Sequence, residues 1–288
     1  MYVEECCEAL LSYILPEVDP NRLGITIEIG VGTFHFYCSL FQKLGFESIA
    51  VEPIPNDDLK QVCNNQSIRL IESCITKIDG TTNIYMGTWK GEKNTNLCST
   101  RPDWWGTTSE SKEVSSISLI TLLKELTTLT ITSMKIDVEG TEIDIIEQFI
   151  NIPKESLPLV LMFEYGGGAI KSSKQGGWSS EIYNSTLKCL ETLKSLDYQE
   201  IIVIDSSEGF LDKIYDLNSM SSFDEIFPET CDYGNIIATR DPILTKLNLH
   251  TITSQYRDNS QLSSSFAKNL SIFDRILNKI KQYNFLSF

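Results

Sequence analysis

Residues Ile131 to Glu142, reading ITSMKIDVEGTE, constrain this chain more than any other stretch. Ile131, Met134, Ile136 and Val138 form an apolar, strand-forming run. Lys135, Asp137 and Glu139 alternate with them, so a regular strand would project all three from one face. Gly140 permits a sharp exit. Beyond it Glu142, Ile145, Ile146, Phe149 and Ile150 recur at helical spacing, with Ile145, Ile146 and Phe149 as the apolar stripe. Glu142 suits a helix N-terminus, which is a structural role. Three ionisable groups at the carboxyl end of a strand are costly to bury unless they are paired or used. In open α/β sheets ligands bind at those ends, so a site is expected here.

The chain leading to this stretch alternates strands and helices. Tyr2 to Leu15 reads as a helix ending near Pro16, and Ile25 to Ile29 as a buried strand. Phe36, Tyr37, Leu40, Phe41 and Leu44 mark one face of a helix, closed by Gly45. Ser48 to Val51 is the next strand, Leu59 to Cys63 a short helix, and Ile68 to Ile75 a third strand. This β-α-β-α-β order predicts an α/β fold with a doubly wound, mostly parallel sheet and flanking helices. Asn83 to Met86 reads as a short strand, and Trp89 to Lys112 as a long polar loop carrying Trp104 and Trp105. Those two rings could stack on an acceptor or anchor the loop. After Ile131 to Glu142 come a strand at Leu159 to Phe163, ending in Glu164, and a glycine-rich segment from Gly166 to Gly177 that suits a lid or a plain loop. Ser180 to Leu196 is an amphipathic helix, and Ile201 to Ile204 and Asn235 to Ala238 are the last strands, with an irregular insert between them.

From about Asp241 the character changes, which divides the chain into a domain at 1–240 and an extension at 241–288. Thr253 to Ser265 is polar and serine-rich. Ile272 to Tyr283 forms an amphipathic helix, with Phe273, Ile276, Leu277 and Ile280 on one face. It would dock on the domain or on a second copy of the chain, giving a homo-oligomer; lying on a membrane surface is the lesser reading.

With a net charge of −15 over 288 residues, the chain disfavours a nucleic-acid partner and simple docking on an anionic membrane. No apolar run is long enough to span a bilayer, and the acidic N-terminus is not a secretory signal. The eight cysteines are scattered and form no CxxC pair, so they read as reduced core thiols of a cytoplasmic protein. With two histidines and no ligand spacing, a zinc site is not expected.

The exit of the first strand reads Glu28, Ile29, Gly30, Val31, Gly32, Thr33, Phe34, His35. Glycines here let backbone approach a nucleotide, and the following helix N-terminus favours an anionic group. Glu28 precedes the glycines within the strand. Glu52 ends the next strand, placed to hydrogen-bond both hydroxyls of a ribose. Phe34 stands at or beside the place of the third glycine in a dinucleotide fingerprint. A ligand with a ribose but no pyrophosphate therefore fits better than NAD or FAD, and S-adenosylmethionine is such a ligand.

Together, EIGVG, VEPIP and MKIDVEGTEIDIIEQF resemble the FkbM family of S-adenosylmethionine-dependent methyltransferases, over roughly Gly24 to Arg240. The resemblance implies a class I, Rossmann-like methyltransferase sheet. It implies that Glu28, Gly30 and Gly32 line the cofactor, that Glu52 holds the ribose, and that Asp137 and Glu139 lie at the reaction centre. It further implies O-methylation of a sugar or other small-molecule hydroxyl, so a small-molecule or glycan acceptor. Proton-accepting candidates are Asp137, Glu139, His35 and Glu164, with Asp137 first because it ends a central strand. Lys135 could pair with Asp137 and make it a weaker base. Carboxylate oxygens suit magnesium, so Asp137 and Glu139 could bridge a divalent ion, though the sequence requires none. Two rival readings stay open: a nicotinamide-dependent dehydrogenase, disfavoured by the missing glycine, and a methyltransferase-like module without turnover that binds a partner through its C-terminal helix.

Overall fold

The computed structural model describes residues 2–33, 36–126, 130–207 and 212–257. At its centre is β1 (Ile25–Ile29), whose five residues are all buried. It pairs in parallel with β2 (Glu47–Val51) on one side and with β8 (Ile131–Ile136) on the other. A strand buried on both faces must satisfy its polar side chains as well, and Thr26 does so by sharing a hydrogen bond of 3.0 Å with Ser48.

Further strands complete an eight-stranded sheet of order β11-β10-β12-β9-β8-β1-β2-β3. These are β3 (Arg69–Ile71), β9 (Val160–Gly166), β10 (Glu200–Asp205), β11 (Asp212–Asp216) and β12 (Tyr233–Thr239). β12 runs antiparallel to both β9 and β10, and β11 antiparallel to β10, so the sheet is mostly parallel, as predicted. The chain builds outward from β1 to β2 and β3, then returns to β8 on the other side of β1. The order therefore reverses between β1 and β8, and the crevice at their carboxyl ends is the expected ligand position.

Period-two alternation sorts the sheet's residues between two cores. Ile27, Met134, Leu161, Phe163, Val203 and Ile236 face a layer built from α4 (Leu119–Glu125), α5 (Glu142–Ile146) and α6 (Ser180–Ser195). Met162, Ile202, Ile204 and Ile237 face the opposite layer, which holds α1 (Val3–Val18), α2 (Phe36–Lys43) and α7 (Leu249–Arg257). By the same alternation Glu28, Lys135, Glu164 and Asn235 belong to the α1 side. The remaining helix, α3 (Asp57–Gln66), starts at Asn56, whose side chain accepts the Leu59 N–H at 2.7 Å.

Several elements differ from the sequence reading. Pro16 does not end α1; it removes one N–H, and the helix runs on to Val18. The predicted strand from Ile68 to Ile75 breaks after Ile71, and β4 (Cys74–Thr76) joins a second sheet. That sheet, of order β4-β7-β5-β6, contains β5 (Gly80–Trp89), β6 (Glu92–Lys93) and β7 (Thr107–Ser118). The loop predicted from Trp89 to Lys112 is thus strand at both ends, in β5, β6 and β7, and only the strap between them, residues 94–106, runs outside the sheet. The insert before β12 contains β11, and α7 covers part of the stretch read as linker because Ile252 and Thr253 are buried. The predicted helix from Ile272 to Tyr283 lies outside the described residues.

Candidate active site

The exits of β1 and β8 touch. Gly30 has φ +78°, and a Cβ there would lie 1.7 Å from the Asp137 carbonyl oxygen, so only glycine fits. The Asp137 N–H donates to the Ile29 carbonyl at 2.9 Å, which holds the two exits in register. Glu52, from the end of β2, closes the loop: its Oε2 accepts the Gly32 N–H at 2.8 Å and its Oε1 the Ile54 N–H at 2.9 Å. Burial raises its pKa against those bonds.

Asn96, in the strap, was not foreseen. Its Oδ1 accepts both the backbone N–H of Thr33, at 2.7 Å, and the Thr33 hydroxyl, at 2.9 Å. A Cβ on Gly32 would lie 2.5 Å from that same oxygen. A side chain from the strap between β6 and β7 thus covers the loop at Gly32 and Thr33. The only hint in the sequence was the asparagine-rich composition of the strap. Phe34 and His35 lie outside the described residues.

Glu28 is buried and pins the start of α2, accepting the Cys38 N–H at 2.7 Å. Burial pushes its pKa up to about 7, against the pull of Lys135 at 3.9 Å. Lys135 itself lies 2.7 Å from Asp137 Oδ2, the pair the sequence suggested. Burial opposes its charge, but Asp137, Glu28 and Glu4 raise its pKa and keep it protonated.

β8 does not stay regular to Val138. It ends at Ile136, and Glu139 adopts a left-handed φ of +57°, so Lys135, Asp137 and Glu139 do not share one strand face. The turn is fastened by other groups. Glu142 Oε1 accepts the N–H groups of Val138, at 3.1 Å, and Gly140, at 3.3 Å, the structural role expected of it. The Ser99 hydroxyl donates to the Glu139 carbonyl at 2.6 Å, and the Trp104 indole N–H donates to Glu139 Oε2 at 2.8 Å. Gly140 has φ +93°, and a Cβ there would lie 2.4 Å from the Trp104 ring. Trp104 thus anchors the strap and orients a carboxylate. Trp105 packs on Gly168, where a Cβ would come within 2.7 Å of its ring.

The left-handed turn nonetheless brings Asp137 and Glu139 together with Glu164 from β9. One oxygen from each lies within 4.8 Å of the other two. Three carboxylate oxygens make a donor set that a hard divalent cation accepts. Their pKa values diverge. Burial works against the charge of Asp137, but Lys135 and a hydrogen bond from Glu164 hold its pKa below the ordinary value. Burial and the neighbouring Asp137 charge push Glu139 and Glu164 well above theirs. Like charges crowd here, so burial and mutual repulsion disfavour ionising all three at once, and Lys135 makes Asp137 the one whose charge is favoured. All three, with Glu28, Gly30 and Glu52, line a cavity of about 240 Å³ at the switch point of the sheet.

Against known proteins, the family described as "Methyltransferase FkbM domain" matches residues 24–200. No curated protein matches the chain. Among solved structures, an S-adenosylmethionine-dependent methyltransferase from Archaeoglobus fulgidus is 15% identical over 81% of this chain and 94% of its own, with a TM-score of 0.38. A 1,6-didemethyltoxoflavin N1-methyltransferase from Burkholderia thailandensis is 8% identical over 81% and 77%, with a TM-score of 0.36. A geranyl diphosphate methyltransferase is 12% identical over 81% and 85%, with a TM-score of 0.38. The assignment rests on the match over 24–200, which spans most of the chain: this protein belongs to the FkbM methyltransferase family.

Proposed function

We propose that this methyltransferase uses S-adenosylmethionine and methylates a hydroxyl oxygen of a sugar or other small molecule. The observation that carries the reading is the single cavity in which Glu52 and the Asp137, Glu139 and Glu164 trio meet across the β1 and β8 exits. Each Glu52 oxygen accepts one backbone N–H and keeps a lone pair, so the carboxylate can still receive two hydroxyls of a ribose. Gly30 and Gly32 leave no side chain on the loop beside it, where a Cβ would collide with Asp137 or Asn96. These features suit the nucleoside and amino-acid parts of that cofactor. When bound, it supplies a methyl group on a sulfonium sulfur, which keeps the bonding pair as a neutral thioether once an acceptor oxygen has taken the methyl.

The chain's residues then have three tasks: to hold the acceptor, exclude water and take the hydroxyl proton. Asp137 is the proton acceptor in this reading, since Lys135 favours its ionised form over those of its two neighbours and its side chain is 28% exposed. Glu139 and Glu164, whose pKa values burial and the Asp137 charge push up, hydrogen-bond the acceptor and position its hydroxyl. A divalent ion on the trio would be an alternative way to position that oxygen. Among the described residues no helix is long and apolar enough to cross a membrane. Seven of the eight cysteines are buried and none of the eight forms a disulfide, which suits a reducing, cytoplasmic setting.

Calorimetric titration with S-adenosylmethionine and NAD, on the wild type and Glu52→Ala, tests the cofactor. Binding of the first ligand alone, weakened in Glu52→Ala, is expected. No binding of either ligand overturns the reading and leaves a module without turnover. Mass-spectrometric screening of hydroxyl- and amine-bearing acceptors then tests the oxygen: methylation confined to amines would overturn it.

A further inference from the structure

We infer that Glu4, in the first turn of α1, is a cofactor-binding residue that receives the α-ammonium group of S-adenosylmethionine. The inference rests on the cofactor proposed above and adds a contact from outside the family segment at 24–200. Glu4 lines the same cavity as Glu28, Tyr37, Lys135, Asp137 and Glu164. The placement follows from the fold. Val3, Cys6, Cys7, Leu10 and Leu11 seat α1 on the sheet face that carries Glu28, Lys135, Glu164 and Asn235, while Glu5 faces solvent.

The Glu4 carboxylate is oriented by two neutral donors. The Tyr37 hydroxyl donates to Oε2, and the Asn235 amide donates to Oε1 at 3.0 Å. Tyr37 is 1% and Asn235 2% exposed, so packing fixes both. The buried cation Lys135 pairs with Asp137 and Glu28, and among the described residues Glu4 has no ion-pair partner. Burial accordingly pushes the Glu4 pKa up, against the more distant pull of Lys135. A carboxylate held in place without a cation is costly to desolvate, and a ligand cation would offset that cost.

Asn235 supplies a second, independent sign. Its Oδ1 is buried and accepts no hydrogen bond from the described residues. On β12 it stands directly across from Glu164 on β9. An amide oxygen short of a donor thus lies in the same side chain that orients the Glu4 carboxylate. An ammonium group brings three N–H donors and no acceptor, which matches this pair of acceptors; a carboxylate does not.

The test is calorimetric titration of the full chain with S-adenosylmethionine, S-adenosylhomocysteine and 5′-methylthioadenosine, the last of which lacks the amino-acid group. Glu4→Gln is expected to weaken the first two about ten-fold or more and to leave the third unchanged, because only the former bring an ammonium. Glu5→Gln, on the solvent side of the same turn, is expected to change none. An equal loss on all three ligands, or no loss on any, would overturn the role of Glu4 while the cofactor stands. Failure of the wild type to bind S-adenosylmethionine would overturn both. Should Glu4→Gln not fold, Asn235→Ala is read instead: it removes the amide acceptor and the donor that orients Glu4, and the same ligand-selective loss is expected, with a uniform loss or none counting against the inference.

Discussion

The Lys135 ammonium lies 2.7 Å from Asp137 and 5.1 Å from the centre of the Tyr37 ring, with the residue 4% exposed. It is a buried cation enclosed by carboxylates, and it decides which of them are ionised. Lys135→Met would leave Asp137 and Glu28 without their cation, at a cost of about 3–5 kcal/mol near pH 8. In the folded variant the Asp137 carboxyl, held below its ordinary value by Lys135 in the wild type, would be pushed up by burial unopposed, and Glu28 would lie further above its unfolded value. Groups of that kind take up protons on folding, so the deficit shrinks as pH falls toward the unfolded carboxylate range. Urea melts at pH 8 and pH 5.5 read this directly. An equal deficit at both would show that the carboxylates are not its cause.

Glu28 gives a related signature in the wild type. Its folded pKa of about 7 lies above the ordinary glutamate value of 4.5. The folded state therefore binds more protons than the unfolded state between those values, and stability contributed at low pH is lost as pH rises through about 7. The expected loss is about 3 kcal/mol between acid and pH 8. Glu28→Gln keeps an oxygen for the Cys38 N–H and removes the titration, so its stability should fall less over the same range. Parallel stability-against-pH curves for the two proteins would rule this out.

Gly30 and Gly45 both have positive φ, but their surroundings differ. A Cβ on Gly30 meets the Asp137 carbonyl oxygen at 1.7 Å, whereas on Gly45 the first atom met is on Arg22 at 3.8 Å. Gly45→Ala should therefore cost about 1 kcal/mol of backbone strain and leave ligand binding intact. Gly30→Ala adds a collision between two strand exits, and should cost about 3 kcal/mol or more and abolish cofactor binding. Thermal melts with parallel calorimetry separate the cases, and equal effects would contradict the close approach of β1 and β8.

The parts of this site visible in the sequence are those built from local pattern. The buried run of β1, the glycines after it and the acid ending β2 are contiguous, and the Lys135 and Asp137 pairing follows from period two. The projection of Glu139 failed because that rule holds only while the strand lasts, and a non-glycine residue in left-handed conformation gives no warning. β7 was hidden for a different reason: TTSESKEVSSIS is largely exposed, so no apolar alternation marks it as a strand. Glu4, Asn96 and Asn235 reach the site through pairings far apart along the chain, with Glu4 and Asn235 separated by 231 positions. Only a folded sheet brings them together.

Asn96 tests whether the strap belongs to the cofactor site or only covers it. Asn96→Ala removes the acceptor for the Thr33 N–H and hydroxyl while leaving the hairpin's backbone pairing in place. Stability should fall by about 1 kcal/mol, because the freed Thr33 groups are part-buried and water can reach them. Cofactor affinity should fall more, by about ten-fold, since the loop carrying Gly32 is no longer held. Unchanged affinity beside a lowered melting temperature would make Asn96 a purely structural tie.

Trp104 joins the strap to the trio through one hydrogen bond and one ring contact, and two substitutions separate them. Trp104→Phe keeps an aromatic ring over Gly140 and loses the indole N–H that Glu139 accepts at 2.8 Å. That bond opposes the upward push of burial and of the Asp137 charge on the Glu139 carboxyl. Losing it should raise the Glu139 pKa further and cost about 1 kcal/mol of stability. Trp104→Ala also opens a cavity where the buried ring stood, and should cost about 3–5 kcal/mol. If orienting Glu139 matters for the acceptor, Trp104→Phe should lower turnover well beyond its small effect on stability, with cofactor affinity unchanged. Steady-state rates on an identified acceptor, set beside melts and cofactor titrations of both variants, would show it. Turnover that tracks stability across the two would reduce Trp104 to an anchor for the strap.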